Sequence, residues 1–298
     1  MAMRDATMPV RTAVAFAHAV VQFVAEEVGA EVLHIKGPAV ELEAEAMRGR
    51  GYGNRGSVDA DVLVRPSHVQ RLERALAMHG WTVLYEFEDG SPFEHAATLA
   101  RQGLANADLH RYFPGVEGDP EKAFERLWAS RRTVVLAGRD VCVPSIPAQR
   151  MILILHAARG RSTAHLAEVR EAWLELSPAD QLAIDDLARD VDARVALAAG
   201  TGRLDTVKSA RSHDLWLALS EGEASQARLW RARVRAAPSR KSAMRTGLRL
   251  LLPKRQRLAV ALGRPPTTWD MVRAFGGQIG RGTRALARDL GLDRGRRA

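Results

Sequence analysis

Residues 57–64, Ser57-Val58-Asp59-Ala60-Asp61-Val62-Leu63-Val64, constrain this chain more than any other stretch. Val58, Val62 and Val64 are β-branched and predict a strand, while the two aspartates dilute what is otherwise a good core strand. Side chains alternate between the faces of a strand, so Asp59 and Asp61 project together on one side. Two like charges held side by side repel unless a cation lies between them, and carboxylate oxygens suit a hard ion such as Mg²⁺. An Asp-x-Asp at a strand start also describes a solvated strand end, so the surrounding residues have to decide the reading.

Taken in order, Val10, Val14, Ala17, Val21, Val24 and Val28 recur at helical spacing and predict an amphipathic helix over 10–28, closed by Gly29. Residues 31–35 predict a short strand ending at Lys36-Gly37-Pro38. Pro38 suits the first turn of a helix that continues to Met47. A strand–turn–helix with a lysine at the turn offers backbone N–H groups and a positive charge to phosphate. Residues 48–57 form a glycine-rich loop with Arg48, Arg50 and Arg55. Backbone can approach a ligand closely at glycine, and arginine binds phosphate through two donors.

After the aspartate strand, the pattern predicts a helix from Arg65-Pro66-Ser67 to Met78, a strand at 81–87, a turn at 88–92, and strands at 95–100 and 106–113. In the last of these Asp108 and His110 share a face, which supplies the third carboxylate that a two-metal phosphoryl-transfer site needs. A short helix over 121–130 and a hairpin over 133–143 follow, and Pro144–Pro147 predict a break. Helices then dominate. One carries Met151, Ile152, Leu155 and Ala158 on a face, a second carries Leu166, Val169, Trp173 and Leu176, and a third is capped by Ser177. Further helices are predicted over 190–200, 204–219 and 223–236. Beyond Ala236 order is expected to thin, with a basic amphipathic helix near 248–252 and frayed segments at 276–282 and 293–298. Cys142 reads as a small core residue, and His34, His95 and His156 as packing or surface residues.

The ordered set Leu33-His34-Ile35-Lys36-Gly37, Arg55, Asp59-Ala60-Asp61-Val62-Leu63-Val64 and Asp108-Leu109-His110 resembles the polymerase-β-like nucleotidyltransferase superfamily over residues 10 to about 160. More narrowly, it is similar to a group of uncharacterised bacterial nucleotidyltransferases in which a Lys-Gly turn replaces the superfamily's Gly-Ser. The expected fold is α+β: a nucleotidyltransferase-like catalytic domain at 1–147 with a mixed sheet flanked by helices, a helical domain at 148–236, and a basic Arg-rich segment at 237–298. The resemblance implies Asp59, Asp61 and Asp108 as catalytic carboxylates and as ligands for Mg²⁺ or Mn²⁺, with Asp108 helping to deprotonate an acceptor hydroxyl. It implies Lys36 and the Gly37 backbone as holders of an NTP triphosphate, and Arg55 as neutraliser of the leaving pyrophosphate. His110 would support the ligands rather than act on substrate. Because the turn lacks the superfamily's serine, nucleotidyl and phosphoryl transfer both stay open. The implied acceptor is a hydroxyl on a small molecule, a peptide or RNA. The competing reading is a scaffold with a degenerate site that binds RNA or peptide through its basic tail.

That tail follows from the distribution of charge. The net charge of +9 hides 18 Lys+Arg against 3 Asp+Glu in residues 231–298, and 26 against 32 in the first 230. A tail of +15 on a body of −6 predicts an acidic partner: nucleic acid, an anionic membrane or another polypeptide. Arginine-rich composition from GC-rich coding is the alternative. No stretch approaches the ~18 consecutive apolar residues of a membrane span. The N-terminal run lacks the basic region and cleavage site of a secretory signal, and the expectation is a cytoplasmic protein. The single Cys142 excludes an internal disulfide and a zinc cluster of cysteines.

Overall fold

The computed structural model describes residues 8–41, 57–87, 93–160, 166, 169–222 and 225–289. Its first part is built on a five-stranded mixed sheet. The strands are β1 (Val32–His34), β2 (Asp59–Val64), β3 (Thr82–Tyr85), β4 (Ala96–Ala100) and β5 (Asn106–His110), in the order β1-β2-β5-β4-β3. Only the central pair, β2 and β5, is parallel. Helices α1 (Val10–Glu27) and α3 (Val69–Met78) cover one face.

Alternation explains which face. Ala60, Val62 and Val64 of β2, Ala107 and Leu109 of β5, and Ala97 and Leu99 of β4 all turn toward the helices. There they form one core with Ala17, Val21 and Val24 of α1 and with Leu72 and Leu76 of α3. Packing this apolar face removes the strands' β-branched and leucine side chains from water, the largest favourable term in such a layer. The opposite face is left to Asp59, Asp61, Asp108 and His110.

Helix α2 (Pro38–Glu41) leaves the end of β1, and Ala39 packs with Leu136, Val141 and Val143 of a hairpin made by β6 (Arg132–Leu136) and β7 (Arg139–Val143). The hairpin thereby anchors the turn that precedes α2. Helix α4 (Pro120–Ala129) is capped by Asp119, which accepts from the N–H groups of Glu121 and Lys122. Arg65, just past β2, reaches Glu121 of α4 at 2.9 Å and also pairs with Glu31 ahead of β1.

The chain divides into two units. The sheet belongs to the first, Met1–Leu153 with Ala172–Arg194; the second is Ile154–Glu171 with Val195–Ala298. Helices follow the hairpin: α5 (Ile146–Ala157), α6 (Pro178–Asp190), α7 (Arg194–Gly200), α8 (His213–Glu221), α9 (Gln226–Ala236), α10 (Arg240–Leu251), α11 (Arg255–Leu262) and α12 (Thr268–Asp289). Ser177 caps α6 as its sequence predicts, accepting from Asp180 N–H at 3.2 Å. In the second unit α7 lies against α5 at Gly200, where an added Cβ would come within 2.6 Å of Ile154 Cγ2.

Several expectations need correction. The break at 144–147 ends early, because α5 begins at Ile146 with Pro147 in its first turn, where proline is tolerated. Residues 204–219 are not one helix: a short 3₁₀ turn, Leu204–Val207, is separated from α8. The segment around Trp173 forms a π-helical turn, Arg170–Leu174. Residues 276–282 lie inside α12, which packs against α9 and α10. Cys142 is half-buried, since alternation turns its neighbours Val141 and Val143 inward. The predicted continuation of α2 to Met47, the loop at 48–56, the turn at 88–92 and the segment 293–298 lie outside the described residues.

Candidate active site

The site starts from a register. β2 and β5 run parallel with Asp59 opposite Asn106, Asp61 opposite Asp108 and Leu63 opposite His110. Residues paired across a ladder share a face, so two adjacent strands present their polar side chains to one space. On the far side of β5, β4 sets Thr98 opposite Asp108, and the Thr98 hydroxyl donates to Asp108 Oδ1 at 2.7 Å.

Asp61 is the most constrained member. It is buried, and its Oδ1 accepts from Lys36 Nζ at 2.7 Å and from His110 Nε2 at 2.8 Å. Burial alone would raise its carboxyl pKa, but the Lys36 ammonium and the His110 hydrogen bond outweigh it and hold the group well below the usual carboxylate range. The other two carboxyls shift the opposite way. Asp108 is pushed up by burial and by the charge of Asp61, against the Thr98 hydrogen bond. Asp59 is pushed up by burial, then by Asp108 and Asp61, while a hydrogen bond from Asn106 opposes the rise. Burial lowers the pKa of His110, so its ring is neutral and donates through Nε2. Its Nδ1 is buried with no hydrogen-bond partner among the described residues.

Lys36 and Gly37 form the turn between β1 and α2. Both adopt left-handed backbone, with φ 59° and 49°. A Cβ added to Gly37 would stand 2.7 Å from Ser57 Cβ, so the turn and the segment leading into β2 pack too closely for a side chain. The Ser57 hydroxyl donates to the Asp59 carbonyl at 2.5 Å. The Lys36 ammonium also lies 5.9 Å from the centre of the Phe113 ring.

Of the sequence-predicted residues, Lys36, Gly37, Asp61, Asp108 and His110 converge on this face. Asp61, Asp108 and His110 each offer one ligand atom, and these three atoms lie within 4.8 Å of one another. Two carboxylates and an imidazole are donors for a divalent cation, and this donor set could hold one. Asp59 shares the face one alternation away but is not part of that trio. Arg55 lies outside the described residues.

Three contributions escaped sequence reading. Thr98 and Asn106 orient the carboxylates, and strand alternation is the signal that would have found them. The third is a buried chain beneath the sheet, on the α1 side. His18 and His34 meet through their Nδ1 atoms at 2.8 Å, His34 Nε2 lies 3.0 Å from Gln22 Oε1, and Gln22 Nε2 donates to Glu26 at 2.8 Å. The Gln22 amide therefore turns its oxygen to His34, which must donate through Nε2 and accept from His18 at Nδ1.

No curated protein sequence matches the chain. Among solved structures, the antibiotic-resistance factor ANT(2'')-Ia is 18% identical, with 67% of this chain and 97% of that one covered and a TM-score of 0.41. An antigenic nucleotidyltransferase-like protein from Paracoccidioides brasiliensis is 17% identical, with 62% and 92% covered and a TM-score of 0.36. The family model of the uncharacterised nucleotidyltransferases matches residues 13–205, from within α1, through the sheet that carries the carboxylates and onward past α7. Spanning well over half of the 298 residues, that match makes the chain a member of the uncharacterised nucleotidyltransferase family.

Proposed function

We propose that this protein moves a nucleotidyl or phosphoryl group from a nucleoside triphosphate to a hydroxyl acceptor, with Asp59, Asp61 and Asp108 as the catalytic carboxylates. The observation that carries the reading is the β2–β5 register, which sets Asp61 beside Asp108 and leaves both within reach of one cation. Asp61, Asp108 and Asp59 would hold Mg²⁺ or Mn²⁺, with His110 supporting Asp61. Once bound, the cation would neutralise charge on the transferring phosphate.

The chain's own residues supply the rest. Asp108 accepts the proton of the attacking hydroxyl, a role favoured by its raised pKa. The hydroxyl oxygen bonds to phosphorus as the bond to the leaving group breaks: pyrophosphate leaves in nucleotidyl transfer, and the nucleoside diphosphate leaves in phosphoryl transfer. The Lys36 ammonium and the N–H groups at the start of α2 bind the triphosphate, and Arg55 meets the leaving group. The catalytic domain is assigned to 1–147, a helical domain to 148–236 and a basic segment to 237–298. Its nucleotide co-substrate favours a cytoplasmic setting.

Asp59→Asn and Asp61→Asn should each cut labelling of acceptor from α- or γ-labelled NTP at least about 100-fold while leaving the fold intact. Undiminished transfer in both variants would overturn the assignment. The label that moves, α or γ, separates the two reactions. A scaffold would instead show no thermal stabilisation by any of the four NTPs with metal, because only a ligand of the native state raises the melting temperature.

A further inference from the structure

Between Ala224 and Trp269 the chain carries twelve arginines and lysines and no aspartate or glutamate over 46 residues. Helices α9, α10 and α11 and the start of α12 lie in this stretch, all within the second unit. Charge alone would suit any polyanion. What selects among polyanions is where the apolar side chains point.

On α10, Arg240, Lys241, Met244, Arg245, Leu248 and Arg249 fall along one side of the helix, and all are exposed. Met244 and Leu248, one turn apart, occupy the middle of that side at 66% and 58% exposure, and the basic residues flank them. Leu252, just past the helix end, extends the line. On α12, Trp269, Val272, Phe275 and Gly276 make a second exposed face beside Arg273, with Trp269 70% exposed. The start of α12 is held firmly: Thr267 accepts from Asp270 N–H, and Asp270 accepts from Thr267 N–H and pairs with Arg264 at 2.8 Å. Trp269 is thus exposed on a capped first turn, and Asp270, the carboxylate next to it in the chain, is paired with Arg264.

A helix with an apolar centre flanked by arginines, alongside a tryptophan and a phenylalanine, is the composition of an element that lies in a lipid interface. Arginine stems can extend along the apolar surface while their guanidinium groups stay at phosphate level. A nucleic acid would use the guanidinium groups but gains nothing from exposed Met244, Leu248 and Val272.

We propose that α10 and α12 seat this unit on an anionic lipid surface. Met244, Leu248, Trp269, Val272 and Phe275 enter the boundary between headgroups and acyl chains, and the neighbouring arginines and lysines bind lipid phosphates. This is peripheral docking, since no helix is long and apolar enough to cross a membrane among the described residues. It stands apart from the transfer chemistry, and each can fail without the other.

The test is sedimentation of the full-length protein with phosphatidylcholine vesicles, with and without about one third phosphatidylglycerol, at moderate salt. The expected result is binding to the anionic vesicles at least about tenfold tighter than to the neutral ones. Met244→Ser with Leu248→Ser, and separately Trp269→Ser with Val272→Ser, should each weaken that binding about tenfold, with little change in melting temperature because the side chains are exposed. As a readout that depends on no destabilising change, brominated acyl chains should quench tryptophan fluorescence of the parent protein, and the increment should vanish in Trp269→Phe. Serine variants that bind as the parent does, or quenching unchanged in Trp269→Phe, would reject insertion of the apolar faces. Capture of single-stranded RNA with no vesicle binding would reject the lipid partner altogether.

Discussion

Lys36 holds a left-handed backbone, which costs a residue with a Cβ on the order of 1 kcal/mol and persists where the surroundings impose it. The conformation points its ammonium at the same Asp61 oxygen that His110 engages, so Asp61 already has a cation beside it. Lys36 and a metal ion then compete for one carboxylate. Lys36→Met removes the competing charge, and Mn²⁺ affinity of the nucleotide-free protein should rise about tenfold, ~1.4 kcal/mol, while NTP affinity falls. Calorimetric titrations with each ligand read both effects; Mn²⁺ affinity that stays equal or drops would mean Lys36 preorganises Asp61 rather than competing for it. At this scale alternation along a strand made two pairs legible, Asp59 with Asp61 and Asp108 with His110, while the register that sets Asp61 beside Asp108 comes from the pairing of β2 with β5. The His18–His34 pair was not legible, because it joins residues 16 positions apart on a helix and a strand, and nothing local in either segment announces the other.

Among the elements, the turn after β1 limits the site most. Gly37 combines positive φ with a 2.7 Å approach to Ser57, so Gly37→Ala strains the backbone and collides with the segment leading into β2. We expect a loss of about 1–3 kcal/mol, a fall in melting temperature of a few degrees, and weaker NTP binding. Adding Ser57→Gly should relieve the collision but not the φ strain, recovering part of the stability; thermal melts of the single and double variants separate the two. Element types along the sheet were readable from periodicity, but their lengths were not. The expected strand at 106–113 stops at His110 because its partners run out there: Leu63 and Ala96 are the last residues of β2 and β4 to face it. Residues 276–282 were misjudged for a related reason. Glycines at 276, 277, 280 and 282 argue for fraying, yet packing of α12 on α9 and α10 outweighs their weak helix propensity.

For the whole molecule, the consequence of this architecture is sensitivity to acid. His18, His34 and His110 are all at least 98% buried and all are kept neutral, chiefly by burial; His18 is lowered to about 4. In the unfolded chain these rings titrate near 6.5. Between pH 6.5 and about 4 the unfolded state therefore binds a proton at His18 that the folded state refuses, and stability falls as pH drops through that window by up to about 1.4 kcal/mol per pH unit for that ring; His34, lowered well below its ordinary value, and His110, also lowered, act in the same sense. Asp59 and Asp108 act in the opposite sense, since their raised pKa values let the folded state take up protons first. The His18–His34 contact sharpens the effect. One ring must donate and the other accept, so protonating both sets two N–H groups against each other at 2.8 Å. Chemical denaturation at steps from pH 7 to 4.5 should show stability falling, and His18→Gln with His34→Gln should lower stability at pH 7 yet flatten the slope. A slope unchanged in that double variant would place the acid sensitivity in the carboxylate face of the sheet instead of the histidines behind it.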